Sequence, residues 1–247
     1  MLEVGCGTGL LACIAARLGA RQVYAVEPTP LVDTARALVR ANGLEDRVTV
    51  LQGCVQDLAP RPVDLAFSEL LNAAPFQEQV LDAMQAAADW GPVEPHRLRV
   101  YAALVRDPGS ADEKRDALTA LRTLSQDHDL DLNPILQALA APGAYRHLGM
   151  GKTCGPPTLV YDLSVGSAER PQPKTVMLQT QDAGPIGGAM VWFEADYGPD
   201  LVLSNPPGSG GHWGQLICGW PDLLGLPEGG NLPVQVALDE GLSLTPL

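Results

Sequence analysis

This 247-residue chain has few features of a secreted, metal-binding or membrane protein. Its five cysteines are odd in number and scattered, and no Cys-x-x-Cys pair occurs, which argues against a disulfide framework and against a zinc site. No apolar run approaches the roughly 20 residues of a membrane-spanning helix, and the N-terminus has no signal-peptide pattern. We therefore expect a protein of a reducing compartment, cytoplasmic or nuclear, with no metal and no membrane segment.

Positive charge is also scarce. Lys and Arg number 16 against 29 Asp and Glu, which gives a formal net charge of −13. Nucleic acid is disfavoured as a direct partner, because phosphate contacts need Lys and Arg. A cationic protein or peptide would suit this charge, although an acidic surface that maintains solubility explains it equally well.

Residues 1–105 alternate between apolar strand patterns and helical patterns. This alternation predicts a parallel sheet wound by right-handed crossovers, with ligands at the carboxyl ends of its strands. The predicted strands are residues 1–4, 22–26, 48–51, 63–67 and 98–105, and the predicted helices are residues 10–18, 31–41 and 76–88.

From about residue 106 the pattern changes. Two helical stretches, residues 113–124 and 134–140, are followed by a part rich in Gly and Pro. Its short apolar runs predict a sandwich or barrel. The predicted strands there are residues 158–161, 174–178, 188–193, 213–218 and 234–238.

The first nine residues read Met1-Leu-Glu-Val-Gly-Cys-Gly-Thr-Gly9, a short strand followed by a glycine-rich turn and then a helix. Glycines let a ligand approach the backbone, and the start of a helix offers free N–H groups. A dinucleotide fingerprint would place its third glycine at position 10, which is Leu. The Gly-x-Gly-x-Gly spacing instead resembles motif I of the class I methyltransferases, which bind S-adenosylmethionine.

Two acids accompany this turn. Glu3 lies inside the first apolar strand, where a carboxylate is costly unless it is paired, and it could accept hydrogen bonds from a cationic amino-acid end. Glu27 ends the second strand and could bind a ribose diol, although a surface Glu at a strand end is the plain alternative. Because the turn has no Lys or Arg, the pattern excludes a nucleoside triphosphate.

Glu69 and Glu78 could clamp one cation at the same rim. An arginine side chain stays charged and is a poor nucleophile, so two carboxylates could orient it and draw its charge to one side. Paired acids near a helix start also serve to balance the helix dipole. Further on, His212 precedes Trp213, a combination that is more often a packed pair than a catalytic one. The other histidines lack ligand-like spacing.

Together these motifs resemble the protein arginine methyltransferase family. The resemblance rests on residues 2–10 and 23–27, on Ser68-Glu69 with Glu78, and on Gly211-His-Trp213 in place of Thr-His-Trp, and it covers essentially the whole chain. It implies a Rossmann-like methyltransferase domain over residues 1–105 and a β-barrel-like substrate domain over 106–247. A helical dimerisation arm is implied at about 112–141.

The resemblance also assigns roles by position. It implies that S-adenosyl-L-methionine is bound by Glu3, Gly5, Cys6, Gly7, Gly9, Glu27, Val55 and Gln56. The implied catalytic residues are Glu69, Glu78 and His212, and Trp213 would bind substrate. Gln56 stands where the family usually has an acid, and Ser68-Glu-Leu-Leu-Asn72 and Pro95-His-Arg97 are closer to the divergent members.

We expect an arginine N-methyltransferase that acts on a histone or another Arg-Gly-rich protein, releases S-adenosyl-L-homocysteine, and forms a homodimer through the arm. The family places helices and a Tyr-Phe segment before motif I, and here motif I opens the chain. We therefore expect this chain to lack that N-terminal lid. The alternatives are a weak or inactive methyltransferase-like scaffold, truncated at the N-terminus, and a small-molecule methyltransferase.

Overall fold

A computed structural model describes residues 1–73, 76–106, 119–123, 126, 146–149, 152–209, 213–238 and 241–247. The first half contains a sheet of five parallel strands in the order β3-β2-β1-β4-β5. Its elements are β1 (Leu2–Val4), α1 (Leu10–Arg17), β2 (Val23–Glu27), α2 (Leu31–Ala41), β3 (Val48–Gln52), β4 (Ala66–Ser68), α3 (Val80–Ala87) and β5 (Val93–Glu94). A 3₁₀ turn, Val55–Asp57, follows β3.

Alternating side chains explain why helices cover both faces of this sheet. In β2, Val23 and Ala25 are buried in a core with residues of α1 and α2, whereas Val26 is buried in another core with residues of α3. A strand buried on both faces requires a helix layer on each side. The first half is therefore a doubly wound, Rossmann-like layer structure.

The second half is antiparallel. Its larger sheet has the order β7-β12-β10-β6-β8 with β11 added to β10, and its smaller sheet has the order β14-β13-β9. The strands are β6 (Arg97–Val105), β7 (Arg146–Gly149), β8 (Thr158–Ser164), β9 (Lys174–Gln179), β10 (Gly184–Asp196), β11 (Val202–Ser204), β12 (Gln215–Leu226), β13 (Asn231–Ala237) and β14 (Ser243–Pro246). One core joins α3 to both antiparallel sheets.

The predicted fold class is confirmed: a parallel Rossmann-like core precedes an antiparallel part. One element was placed in the wrong sheet. β6, expected to continue the parallel sheet, instead pairs antiparallel with β10 and β8. The parallel sheet therefore ends at Glu94, before the expected limit near residue 105. The division into two domains stays a prediction, and most of the predicted arm at 112–141 lies outside the described residues.

The third helix also begins later than expected. It was predicted from about residue 76, but α3 starts at Val80. Phe76 and Gln79 have φ angles of 75° and 56°, which break a right-handed helix, so Glu78 lies in the turn before α3. No helix in the described ranges is long and apolar enough to cross a membrane.

Candidate active site

The strand order reverses between β1 and β4, because α1 leads to β2 on one side of β1 and β4 lies on the other. Ligands of doubly wound sheets bind in the crevice at such a reversal, beyond the carboxyl ends of the strands. The residues that follow β1 and β4 are the glycine turn and Glu69. The fold therefore brings the two predicted motifs to one crevice.

The glycine turn is packed too closely for larger residues at two positions. Gly5 has a φ angle of 71°, and a Cβ atom there would lie 2.5 Å from Leu70 Cδ2. Gly9 has a φ angle of 77°, and its Cβ would lie 3.0 Å from Ala35 Cβ in α2. The turn is therefore held between the segment after β4 on one side and α2 on the other.

Glu27 fixes the middle of this turn. Its Oε2 atom accepts a hydrogen bond from the Gly7 amide at 2.8 Å, and its Oε1 atom accepts one from the Thr29 amide at 2.9 Å. Glu27 as a whole is 4% exposed. Each carboxylate oxygen has a second lone pair, so the same group can also accept from ligand hydroxyls.

Glu3 carries a buried oxygen that has no hydrogen-bond partner among the residues that the structure describes. The residue is 3% exposed, and this oxygen is its Oε2 atom. Burial raises the pKa of this carboxyl to about 7, a hydrogen bond from the Ala12 backbone opposes the rise, and the charge of Glu27 adds to it. A ligand with a positive charge would satisfy this oxygen, so the site fits the cationic amino-acid end of S-adenosylmethionine.

The thiol of Cys6 lies within the core beneath the turn. Burial first, and then the charges of Glu3 and Glu27, raise its pKa to about 12. It therefore stays a neutral thiol, and any ligand contact of Cys6 would come from its backbone.

A cavity of about 130 Å³ lies beside the turn. Among its lining residues are four of the predicted site residues, namely Gly5, Val55, Gln56 and Glu78. Cys54 and Leu70 also line it, and sequence reasoning missed both. Leu70 directly follows Glu69, so its sequence position was a usable signal. Cys54 had no signal beyond preceding Val55.

The segment between Glu69 and Glu78 follows Ser68, which is held in place by two hydrogen bonds. Ser68 is 1% exposed, its hydroxyl donates to the Val4 carbonyl at 2.8 Å, and it accepts from the Leu70 amide at 3.1 Å. Glu69 and Glu78 themselves are exposed, and Glu78 Oε1 accepts a hydrogen bond from Asn72 Nδ2 at 3.1 Å. Both carboxylates are therefore accessible at the rim of the crevice.

The antiparallel part contacts this segment directly. The Trp213 indole N–H donates to the Leu71 carbonyl at 3.1 Å, and the Tyr197 hydroxyl donates to the Ser68 carbonyl at 2.5 Å. Asn205, which is fully buried, donates to the Gly214 carbonyl at 2.8 Å and so holds the chain beside Trp213. His212 lies outside the described residues. In the part of the chain that the structure describes, no cluster of three or more potential metal ligands occurs.

Residues 1–91 match the family described as "Methyltransferase domain". The chain is 28% identical to Arabidopsis thaliana protein arginine N-methyltransferase PRMT10, over 94% of this chain and 70% of the relative. It is 29% identical to the arginine N(omega)-methyltransferase of Streptomyces achromogenes subsp. streptozoticus, over 99% of this chain and 67% of the relative. It is 26% identical to Saccharomyces cerevisiae protein arginine N-methyltransferase 1, over 94% and 70%.

Two solved structures that resemble this chain are also those of protein arginine methyltransferases. The crystal structure of Arabidopsis thaliana protein arginine methyltransferase 10 superposes with a TM-score of 0.81 at 26% identity, covering 95% of this chain and 78% of that one. The Trypanosoma brucei PRMT1 enzyme–prozyme heterotetrameric complex with AdoHcy gives a TM-score of 0.77 at 20% identity, which shows the shared fold. The chain is therefore similar in sequence and fold to protein arginine methyltransferases, and its first 91 residues match a methyltransferase domain.

Proposed function

We propose that this chain transfers a methyl group from S-adenosyl-L-methionine to a guanidinium nitrogen of an arginine, leaving S-adenosyl-L-homocysteine and releasing one proton from that nitrogen to solvent. The observation that carries the proposal is the single cavity lined by Gly5 of the glycine turn, by Val55 and Gln56, and by Glu78 of the acidic pair. A cofactor site and a cation site that share one cavity can bring the two reacting groups together.

The cofactor would be held by residues that suit its parts. Glu3 would accept from the ammonium group, and Glu27, next to the turn, would accept from the ribose hydroxyls. Val55 and Gln56 would contact the adenine, while the backbone of Gly5, Cys6, Gly7 and Gly9 would line the methionine part. When bound, the cofactor supplies an electrophilic sulfonium methyl group.

Glu69 and Glu78 would bind the arginine. A guanidinium group has a pKa above about 12 and spreads its charge over three nitrogens, so each nitrogen is a weak nucleophile. Two carboxylates that accept its N–H groups fix its direction and concentrate the positive charge on one side. The lone pair of the remaining nitrogen then becomes more available. In the same proposal, Trp213 lines the substrate side and His212 braces the site.

The proposal is tested by incubating the protein with S-adenosylmethionine and an Arg-Gly-rich peptide and following the peptide mass. We expect addition of methyl groups to this peptide and none to the same peptide with Lys in place of Arg. Glu78→Gln should retain cofactor binding and lose most of the transfer, whereas Glu45→Gln, at an exposed acid that does not line the cavity, should transfer normally. Retained transfer by Glu78→Gln would reject the clamp.

Free L-arginine is a second candidate substrate. It is favoured by the Streptomyces relative, which is named an arginine methyltransferase without reference to protein and matches 99% of this chain. The same assay separates the candidates, because free arginine and the peptide can compete in one reaction. A higher kcat/KM for the peptide supports the protein substrate, and a higher value for free arginine supports the amino acid.

We also propose that the chain forms a homodimer and works in the cytoplasm or nucleus on a histone or another Arg-Gly-rich protein. Helix α1 and the residue that follows it support the dimer, since they present an exposed apolar face to solvent: Leu10, Leu11, Ile14 and Leu18 are 55%, 41%, 43% and 84% exposed. Exposed apolar faces of this kind mark protein interaction sites. The net charge of −13 supports a cationic substrate.

A further inference from the structure

The Glu69 backbone is fixed on both sides by hydrogen bonds. The peptide unit before it contains the Ser68 carbonyl, which accepts from the Tyr197 hydroxyl at 2.5 Å. The peptide unit after it contains the Leu70 amide, which donates to the Ser68 hydroxyl at 3.1 Å. Because peptide units are planar, holding both units limits the two backbone dihedral angles of Glu69.

Tyr197 reaches this carbonyl from the other half of the molecule. It directly follows β10, and its own amide donates to the Leu201 carbonyl at 2.8 Å, so the base of the side chain is fixed. Burial, with the charges of Glu69 and Glu94, raises the pKa of its hydroxyl well above the usual range. The hydroxyl therefore stays protonated and remains a donor.

From this geometry we propose that Tyr197 is a positioning residue for Glu69. By holding the Ser68 carbonyl it sets the direction in which the Glu69 side chain leaves the end of β4. The inference rests on the proposed function for its consequence, since a misdirected Glu69 would weaken the orientation of a bound guanidinium. An exposed carboxylate on a fixed backbone loses less freedom on binding than one on a mobile loop.

The test compares two Tyr→Phe variants. Tyr197→Phe removes the hydroxyl bound to Ser68. The matched control is Tyr161→Phe, because the Tyr161 hydroxyl also donates to a backbone carbonyl, that of Gln172, at 2.7 Å. Since small misplacements of a reacting group are costly, we expect Tyr197→Phe to lower kcat about tenfold with unchanged cofactor affinity. Tyr161→Phe should keep the wild-type kcat.

Amide hydrogen exchange of residues 66–73 gives a readout that needs no methyl transfer. Tyr197→Phe should speed exchange in this segment, and Tyr161→Phe should not. If the wild-type protein transfers no methyl group, the proposed function fails, and the exchange result still decides whether Tyr197 holds the segment. The inference would be overturned if Tyr197→Phe kept the wild-type kcat, or if the two variants lost kcat equally. It would also be overturned if amide exchange of residues 66–73 did not change in Tyr197→Phe.

Discussion

The charge of Glu3 affects ligand binding and the stability of the fold in opposite directions. Its Oε2 atom is buried and has no hydrogen-bond partner in the described part of the chain, and burial is the main reason that its pKa rises to about 7. A charged carboxylate suits a cationic ligand but destabilises the ligand-free fold. We infer that stability is lost at this position for the sake of binding.

The stability cost gives a pH-dependent prediction for Glu3→Gln. The pKa of Glu3 is about 7 in the folded protein against an ordinary 4.5, so its contribution to stability is full below pH 4.5 and lost as the pH rises through 7. At pH 8 the ionised group should cost on the order of 3 kcal/mol. We therefore expect urea unfolding at a series of pH values to show that the free energy of unfolding of Glu3→Gln, relative to that of the wild type, increases from pH 4.5 to 8. A constant difference between the two would contradict this.

Glu3→Gln should bind the cofactor more weakly than the wild type does, although it should be more stable. Glu3→Gln should weaken S-adenosylmethionine binding about tenfold, the equivalent of one lost charge-assisted hydrogen bond. The control ligand is 5′-methylthioadenosine, which lacks the amino-acid end and should bind both proteins equally. Equal losses for the two ligands would mean that Glu3 does not contact the ammonium group.

The sequence predicts the position of some residues of the candidate site and not of others. The placement of Glu3 and Glu27 near the glycine turn could be predicted, because they lie next to the turn in sequence or at the end of the neighbouring strand. Their roles in cofactor binding stay predictions. Tyr197 could not, because its contact with Ser68 spans 129 residues of sequence and no local pattern marks it.

At the scale of elements, the glycine turn and the segment after β4 act as one packed unit. Gly5→Ala should be more destabilising than Gly7→Ala, since the new Cβ would lie 2.5 Å from Leu70 Cδ2 at a positive φ angle and the Leu70 side chain would have to shift. Gly7→Ala is the control: its φ angle of 52° is also positive, but a Cβ there would have nothing within 4 Å. It should therefore cost only the backbone strain, about 1 kcal/mol. If melting curves show that Gly5→Ala and Gly7→Ala lower the melting temperature equally, close packing of Gly5 against Leu70 would be contradicted.

Helices and strands were predictable where local pattern decides them. α1, α2 and the first three strands follow from apolar spacing and from Gly turns. β6 was placed in the wrong sheet because its apolar run does not identify its partner, and Gly188 to Asp196 of β10 pair with it from about 90 residues away. The start of α3 was missed because the positive φ angles of Phe76 and Gln79 occur at residues without that preference.

Across the whole molecule, the two halves meet at the proposed clamp. Tyr197 and Trp213 from the antiparallel part hold carbonyls on either side of Glu69 and Leu70, and Arg170 contacts Asp82 of α3 at 2.7 Å. The antiparallel half therefore supports the segment after β4, whose Leu70 lines the crevice.

The proposed homodimer can be tested on the apolar face of α1. Ile14→Glu places a charge at the centre of that face and should shift sedimentation from dimer to monomer, because a charge cannot be buried there without a partner. Leu201→Glu is the control, since Leu201 is 50% exposed in the antiparallel half. A wild-type protein that sediments as a monomer, or an Ile14→Glu variant that remains dimeric, would contradict the proposal.

We propose that the crevice between β1 and β4 holds S-adenosylmethionine. Calorimetric titration of the wild-type protein with this cofactor tests it directly. We predict saturable binding with one site per chain, because the glycine turn, Glu3 and Glu27 together supply the backbone and the charges that the cofactor needs. A flat titration would contradict the claim and would favour a scaffolding module that keeps the methyltransferase fold without its cofactor.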